Sequence, residues 1–215
     1  MRIAARNLRV VVKTLEKNGV LLQTDPALPN VASLLAGEQI KGSWWVHSRA
    51  HEIFAGLNQL ADHEDVLITK LVSGKVTLVH RRLWPDFLSI ATARESWQRR
   101  GLSPAARFLL QTIDREGLLR SNEAEWPKRL EPAKLGTAAR ELEVRLLVHS
   151  EEFHTNNGAH AKLLEAWKHW AEHVALESDP RPPDEAKEVF EKLMTKLNDE
   201  YRGQGRLPWL PSEAP

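Results

Sequence analysis

The sequence predicts an α+β fold of tandem winged-helix-like units, helix-rich, with two β-hairpin wings and a C-terminal helix. Three observations predict it: apolar residues recur at helical spacing in several segments, two strand pairs each close on a short turn, and helices precede a hairpin twice along the chain. We expect a first unit with a basic hairpin over residues 1–100 and a second winged helix-turn-helix unit over 101–177. A proline linker, an amphipathic helix and a tail would fill 178–215.

In the first unit, apolar spacing predicts helices over residues 2–18 and about 48–62. A hairpin is expected over 66–81, with a two-residue turn at Ser73–Gly74. That turn sets Leu71 opposite Val76, Thr69 opposite Leu78 and Lys70 opposite Thr77. One face of the hairpin tip is then apolar, and the other carries Lys70 and Lys75.

In the second unit, Ser103–Pro104 is a typical helix start, with an N-cap followed by proline at the first helical position. That helix should end at Glu116–Gly117, with at most a short helix over 123–130 and a third over 133–147. A second hairpin would run from 147 to about 164. A three-residue loop 156–158 would set His154 opposite His160, whereas a two-residue loop would set Thr155 there.

The C-terminal region begins with the proline-rich stretch 178–184, which suits neither a helix nor an inner strand. Residues 185–201 have the spacing of an amphipathic helix, and the tail from Gly203 is expected to be loose unless Trp209 docks.

The composition excludes several classes of protein. The 215 residues have a formal net charge of +1, so any basic surface must be local. The absence of cysteine excludes disulfides, thiol nucleophiles and cysteine-ligated metals. No stretch is apolar enough for a membrane span, no signal peptide is recognisable, and cytoplasm is the expected location. Glycine-rich phosphate loops and a G-x-S-x-G elbow are also missing from the sequence, so no cofactor is expected.

A local excess of positive charge lies between residues 66 and 107, where eight lysines and arginines face only two acidic residues, a net of +6. Such clustering suits contacts with DNA phosphates, although a solvated basic face is the alternative. The residues expected to contact DNA here are Lys70, Lys75, Arg81, Arg82, Arg99 and Arg100. In the third helix of the second unit, Arg140 and Arg145 could do the same, unless Glu141 and Glu143 turn that helix toward protein.

Two histidine groups suggest a metal at first sight, but no metal site is expected. His154 and His160 flank the second turn, and His169-x-x-Glu172-His173 matches the H-x-x-E-H string of zinc peptidases. Those enzymes need a third ligand well downstream, and only 42 residues follow His173, beginning with the proline linker.

Two short motifs resemble those of the bacterial DNA glycosylases that unhook crosslinked or alkylated bases. They are Gln23-Thr-Asp25 after the first helix and Trp44-Trp45-Val-His47 further on, followed by the tandem winged helices. The resemblance implies that Gln23 or Asp25 positions the hydrolytic water, and that Trp44, Trp45 and His47 line the lesion pocket. From the residues alone, Asp25 can equally cap a turn before its proline neighbour.

The segments 152–160 and 70–77 are also similar to those of a shorter bacterial family related to these glycosylases. That closer resemblance implies a fold but assigns no activity. The leading hypothesis is therefore a protein that binds duplex DNA and is related to a repair glycosylase acting on damaged bases; whether it is an enzyme stays open. The alternative is a non-catalytic scaffold that uses winged helices to bind a protein partner.

Overall fold

The computed structural model describes residues 2–40, 42–123, 127, 130, 135–155, 158, 160–176 and 181–211, except for the side chains of 2–6, 154 and 160. Its helices are α1 (Arg2–Asn18), α2 (Val31–Ala36), α3 (Ala50–Ala61), α4 (Trp84–Thr92), α5 (Ser96–Arg99), α6 (Pro104–Glu116), α7 (Leu135–Val144), α8 (Trp167–His173) and α9 (Pro183–Tyr201). Its strands are β1 (Val20–Leu22), β2 (Val66–Thr69), β3 (Thr77–His80), β4 (Leu118–Arg120), β5 (His149–His154) and β6 (His160–Glu165). Short 3₁₀ turns span Trp44–Val46 and Arg81–Leu83.

The chain forms two compact units, one of residues 1–86 together with 184–215 and the other of residues 87–183. This division differs from the expected boundaries at 100 and 178. The first unit ends at residue 86, and the C-terminal helix groups with it. We call them the N-terminal unit and the central unit.

Both units repeat one order of elements: helix, strand, one or two helices, and then two strands. In each sheet the first strand pairs with the third and the third with the second, all antiparallel, giving the orders β1-β3-β2 and β4-β6-β5. The predicted α+β fold, with two antiparallel hairpins and a C-terminal helix, is therefore confirmed. The three-residue strands β1 and β4 were not predicted, and the short helix expected over 123–130 falls mostly outside the described residues.

The core of the N-terminal unit lies between α1, α3 and the first sheet. Val11 and Leu15 from α1 and Ile53 from α3 are fully buried there with Leu21 and Leu78. The apolar stripe that predicted α1 therefore supplies this core, as the spacing indicated.

The register of the first hairpin is one residue away from the expected one, which was wrong. The strands pair Thr69 with Thr77 and continue down to Val66 with His80. The tight turn at Ser73–Gly74 is present, with positive φ at both residues. However, the Thr77 hydroxyl accepts a hydrogen bond from the Val72 amide (3.1 Å), and two residues stand opposite one before pairing begins. The alternation of faces is therefore lost in the loop 70–76.

Residues 203–210 are docked, which is the alternative in which Trp209 packs against the protein. We call residues 203–210 the C-terminal strap. Arg206 bonds Ser73 at the hairpin tip through its backbone nitrogen and oxygen (3.1 and 2.7 Å). The Asn198 side chain holds both backbone groups of Gly205, and Trp209 donates its indole N–H to Glu191.

The core of the central unit lies between α6, α7 and the second sheet, around Leu109, Leu142 and Leu164. The Ser103 hydroxyl caps α6 by accepting a hydrogen bond from Ala106, as predicted. The second hairpin sets residue 154 opposite 160, which is the three-residue-loop alternative. No helix in the described part of the chain is long and apolar enough to cross a membrane.

Candidate functional site

The loop between β1 and α2 carries the first predicted motif and is fixed at both ends. The backbone of Gln23 donates to Val76 (2.8 Å) and accepts from Ala32 (3.0 Å). At the other end, the buried side chain of Asn30 caps α2 and also donates to the carbonyls of Asp25 (2.9 Å) and Leu28 (3.3 Å). The loop therefore has little freedom to move its side chains.

Asp25 is held by three donors. Its Oδ1 accepts hydrogen bonds from the amides of Ala27 (3.0 Å) and Leu28 (2.9 Å), so it does cap the turn at its proline neighbour. Its Oδ2 lies 2.8 Å from the Lys75 ammonium, and its side chain is 10% exposed. Burial alone would raise the pKa of Asp25, but these hydrogen bonds and the charge of Lys75 outweigh burial and lower it. The carboxyl is therefore ionised at neutral pH.

Lys75 comes from the loop 70–76 of the first hairpin, 50 residues away in sequence from its partner. Its side chain is 46% exposed, and its ammonium is turned to Asp25 rather than displayed on an open wing. Lys70 is half-buried at the start of the same loop. The hairpin tip thus has an exposed Lys75 paired with Asp25 and a half-buried Lys70, and DNA contacts by these two lysines stay a prediction.

The tryptophan pair divides between core and surface. Trp44 is 6% exposed and stacks on Trp45 with 3.8 Å between ring centroids. Trp45 is 62% exposed, with Phe54 beside it at 5.7 Å, and Val46 is 86% exposed. One ring thus supports the other, and an apolar surface of three residues faces solvent. We call Trp45, Val46 and Phe54 the aromatic surface.

His47 is held on both ring nitrogens. Nδ1 accepts a hydrogen bond from the Arg49 amide (3.2 Å), which assigns the ring proton to Nε2, 3.3 Å from a Glu38 carboxylate oxygen. The next residue, Gln39, donates its side-chain amide to the carbonyl of Pro26 (3.2 Å). The segment 38–39 therefore touches both His47 and the Asp25 loop, which links the two predicted motifs within the N-terminal unit.

Arg81 and Arg82 of the N-terminal unit donate to backbone carbonyls. Arg81 donates to the carbonyl of Glu64 (3.3 Å) and lies over the Trp84 ring at 5.2 Å. Arg82 donates to the carbonyl of Lys17 at the end of α1 (3.4 Å). The Arg81 guanidinium thus stabilises the turn before β2, and the Arg82 guanidinium stabilises the C-terminal end of α1.

The central unit displays arginines that are open to solvent. Arg99, Arg100, Arg107 and Arg140 are exposed, and none of the four makes an ion pair or a side-chain hydrogen bond within the described residues. Arg145 differs: it is 26% exposed and donates to the carbonyls of Trp97, Gln98 and Arg100 (3.2, 3.3 and 2.6 Å).

The inner side of α7 thus packs against protein, as one alternative predicted. On it, Glu141 accepts a hydrogen bond from the Ser103 amide (3.0 Å). The opposite side presents Arg140. Glu141 and Arg145 thus tie this part of α7 to residues 100–103.

Comparison with family models decides the relationship. The model described as AlkZ related matches residues 5–204 of the chain. The chain belongs to the AlkZ-related family. AlkZ is a DNA glycosylase for crosslink repair, so the suspected resemblance is confirmed at the level of the related family. Comparisons with curated proteins and with solved structures each found no match.

In this AlkZ-related chain, sequence reasoning missed the buried carboxylate of Glu165. Glu165, with a side chain 6% exposed, accepts from Nδ1 of both His149 (3.4 Å) and His169. The H-x-x-E-H string pointed to His169 but to the wrong acidic residue. Among the described residues, no three His, Asp or Glu side chains come together to hold a metal.

Proposed function

We propose that this AlkZ-related protein binds duplex DNA and hydrolyses the N-glycosidic bond of a damaged base, with Asp25 as the catalytic carboxylate. The observation that carries the proposal is the state of Asp25: ionised, 10% exposed, and fixed by two backbone amides in a loop that begins with Gln23. A carboxylate in that state is ready to act without rearrangement of the protein.

The chemistry needs such a group. Departure of the base leaves an oxocarbenium-like sugar, and a fixed carboxylate can stabilise that charge or take a proton from the attacking water. An ionised carboxylate has about four lone-pair sites, and three are used here, so Asp25 retains capacity for one water. Gln23, two residues earlier and half-buried, would orient that water with its amide.

The aromatic surface would receive the displaced base. Enzymes that act on a base take it out of the helical stack and hold it against aromatic side chains. Trp45 offers a largely exposed ring already braced by Trp44, so stacking a base on it costs little ordering. His47, with its Nε2–H held toward Glu38, would add a polar group at the edge.

The exposed arginines of the central unit would hold the DNA backbone. Guanidinium groups without partners can neutralise phosphates and release condensed counterions. Arg99, Arg100 and Arg140 meet that condition, whereas Arg81, Arg82 and Arg145 are engaged with carbonyls. We therefore assign phosphate contacts to the first three.

A second candidate function is a protein–protein scaffold. The observation that favours it is the aromatic surface itself, since contiguous exposed apolar side chains commonly mark a protein interface. On this alternative, Trp45 and Phe54 would bury against a partner protein instead of a base.

The deciding experiment measures base release from duplexes carrying an alkylated purine or an interstrand crosslink, by wild type and by Asp25→Asn. Asparagine keeps an oxygen for the Ala27 and Leu28 amides, so the loop is preserved while the charge is removed. We expect single-turnover base release to fall by about 10²–10⁴-fold with DNA affinity unchanged. The matched control is Asp199→Asn, at an exposed position of α9.

Two outcomes would contradict the proposal. If wild type binds DNA but releases no base from any of these duplexes, the catalytic part is wrong and DNA binding remains. If fluorescence anisotropy shows no DNA binding even at low salt, both parts are wrong, and the scaffold function takes their place.

A further inference from the structure

Asp25 has a single charged neighbour. Among the described residues, Lys75 is the only ionisable side chain that acts on this carboxylate; its other two donors are backbone amides. Those amides both bind Oδ1, so among the described residues Lys75 is the donor on Oδ2.

The loop that carries Lys75 is fixed by the C-terminal strap. Arg206 bonds Ser73 twice at the hairpin tip. Gly205 lies so close to both loops that a Cβ there would approach Leu28 Cδ1 to 2.9 Å and Val72 Cγ1 to 3.0 Å. Leu28 belongs to the Asp25 loop and Val72 to the Lys75 loop. The strap therefore packs against both sides of the ion pair at once.

From this geometry we infer that Lys75 is a positioning residue for Asp25 rather than a DNA contact, and that the C-terminal strap holds it in place. The inference rests on the proposed function, because it names what prepares the carboxylate for catalysis. It also gives the C-terminal helix and strap a purpose: they complete a site whose other parts lie more than 130 residues earlier in the chain (Arg206 to Ser73 is a separation of 133).

The physical consequence is a change in the pH range over which Asp25 is ionised. Burial opposes ionisation of this carboxyl, and Lys75 is among the groups that overcome it. Without Lys75, the pKa of Asp25 rises. A base with a higher pKa loses its charge at a higher pH, so the acidic limb of the rate profile must move upward by the same amount.

The test compares Lys75→Met with the conservative Lys75→Arg and with Lys196→Met, which removes the same charge from an exposed position on α9. The Asp25 carboxyl is titrated directly by carbon-13 NMR, base release is followed from about pH 4 to 8, and DNA affinity is measured over a salt series. We expect Lys75→Met to raise the Asp25 midpoint and shift the acidic limb with it. Lys75→Arg should restore most of both, and DNA affinity should stay the same in all three.

Opposite results are just as clear. If Lys75→Met leaves the midpoint unchanged but weakens binding and lowers the salt slope by about one, Lys75 is a phosphate contact and the inference is overturned. If wild type releases no base, the proposed function has failed, and the NMR titration alone decides whether Lys75 controls the charge of Asp25.

The strap is tested separately by Gly205→Ala and Gly205→Val. The added carbons press first on Met194 of α9 and then on Leu28 and Val72, so we expect the midpoint of Asp25 to move in the same direction as in Lys75→Met, more for valine than for alanine. The control is Gly136→Ala in α7, where a Cβ meets open space. A midpoint that stays unchanged in both folded Gly205 variants would remove the strap from the inference.

Discussion

The two units have the same order of elements and the same order of strands, yet they use their hairpins differently. In the N-terminal unit the paired strands have four residues each, and the loop 70–76 is turned back onto Asp25 under the C-terminal strap. In the central unit the strands have six residues and stay in register to the pair 154–160 next to the turn. With the same strand order, the hairpin of the N-terminal unit folds back onto Asp25, whereas the hairpin of the central unit is longer and pairs regularly.

The polar contacts behind the second hairpin differ as well. Lys162 on β6 and Ser150 on β5 both donate to the Glu143 carboxylate of α7, which is 3% exposed. This buried network ties the hairpin to the helix behind it and leaves Arg140 outside. The two units therefore share a topology but differ in the partners of a few charged side chains, and topology alone does not determine those partners.

The largest expected effect comes from opening a cavity in each core. Leu78→Ala in the N-terminal unit and Leu109→Ala in the central unit each remove a fully buried side chain, and each should cost about 2–5 kcal/mol of unfolding free energy. If the units have separate cores, each variant lowers amide-exchange protection mainly in its own unit. Equal loss of protection in both units for either variant would contradict separate cores.

A smaller effect is expected from Glu165, one of the buried carboxylates of the central unit. Burial would raise the pKa of Glu165, but hydrogen bonds from His149 and His169 lower it below the value of a free glutamate. Because the folded pKa lies below the unfolded one, this stabilisation is present above the unfolded pKa and is lost as pH falls through the folded pKa. Glu165→Gln should cost about 1.5–3 kcal/mol at neutral pH and less in acid.

Urea unfolding at several pH values checks that prediction, with Glu172→Gln at an exposed position of α8 as the control. If the destabilisation by Glu165→Gln is the same at pH values above and below the carboxyl titration, the paired histidines do not control this group.

The smallest effect, measured as DNA affinity, separates the arginines of the two units. Arg99→Ala/Arg100→Ala should weaken binding to a short duplex and reduce the slope of log K against log salt by about one for each phosphate that is no longer neutralised. Arg81→Ala/Arg82→Ala removes the same charge, but from guanidinium groups already bonded to carbonyls, so its slope should change less. The reverse ranking would assign the phosphate contacts to Arg81 and Arg82 of the N-terminal unit instead.

Local features of the fold were predictable because neighbouring residues determine them. The Ser103–Pro104 start of α6 needs only a hydroxyl and a ring that fixes φ. The Ser73–Gly74 turn follows from residues that tolerate positive φ. The family relationship was also predictable, since the motifs at residues 23–25 and 44–47 are contiguous in sequence. The division of Trp44 and Trp45 between core and surface was expected for an extended chain, but the structure produces it in a 3₁₀ turn with the two rings stacked.

What the sequence by itself determined, then, is the longer helices (α1, α3, α6, α7 and α9), the two hairpins, the α+β class, and the residue types available for a DNA-repair site. Only the tertiary structure decided which charged side chains make ion pairs or hydrogen bonds within the protein. Lys75 meets Asp25 across 50 residues, and Arg145 bonds carbonyls more than 40 residues away. The register of the first hairpin depends on one hydroxyl of Thr77. Periodicity and propensity describe neighbours along the chain, whereas an ion pair between distant segments forms only where folding brings their charged groups within about 4 Å.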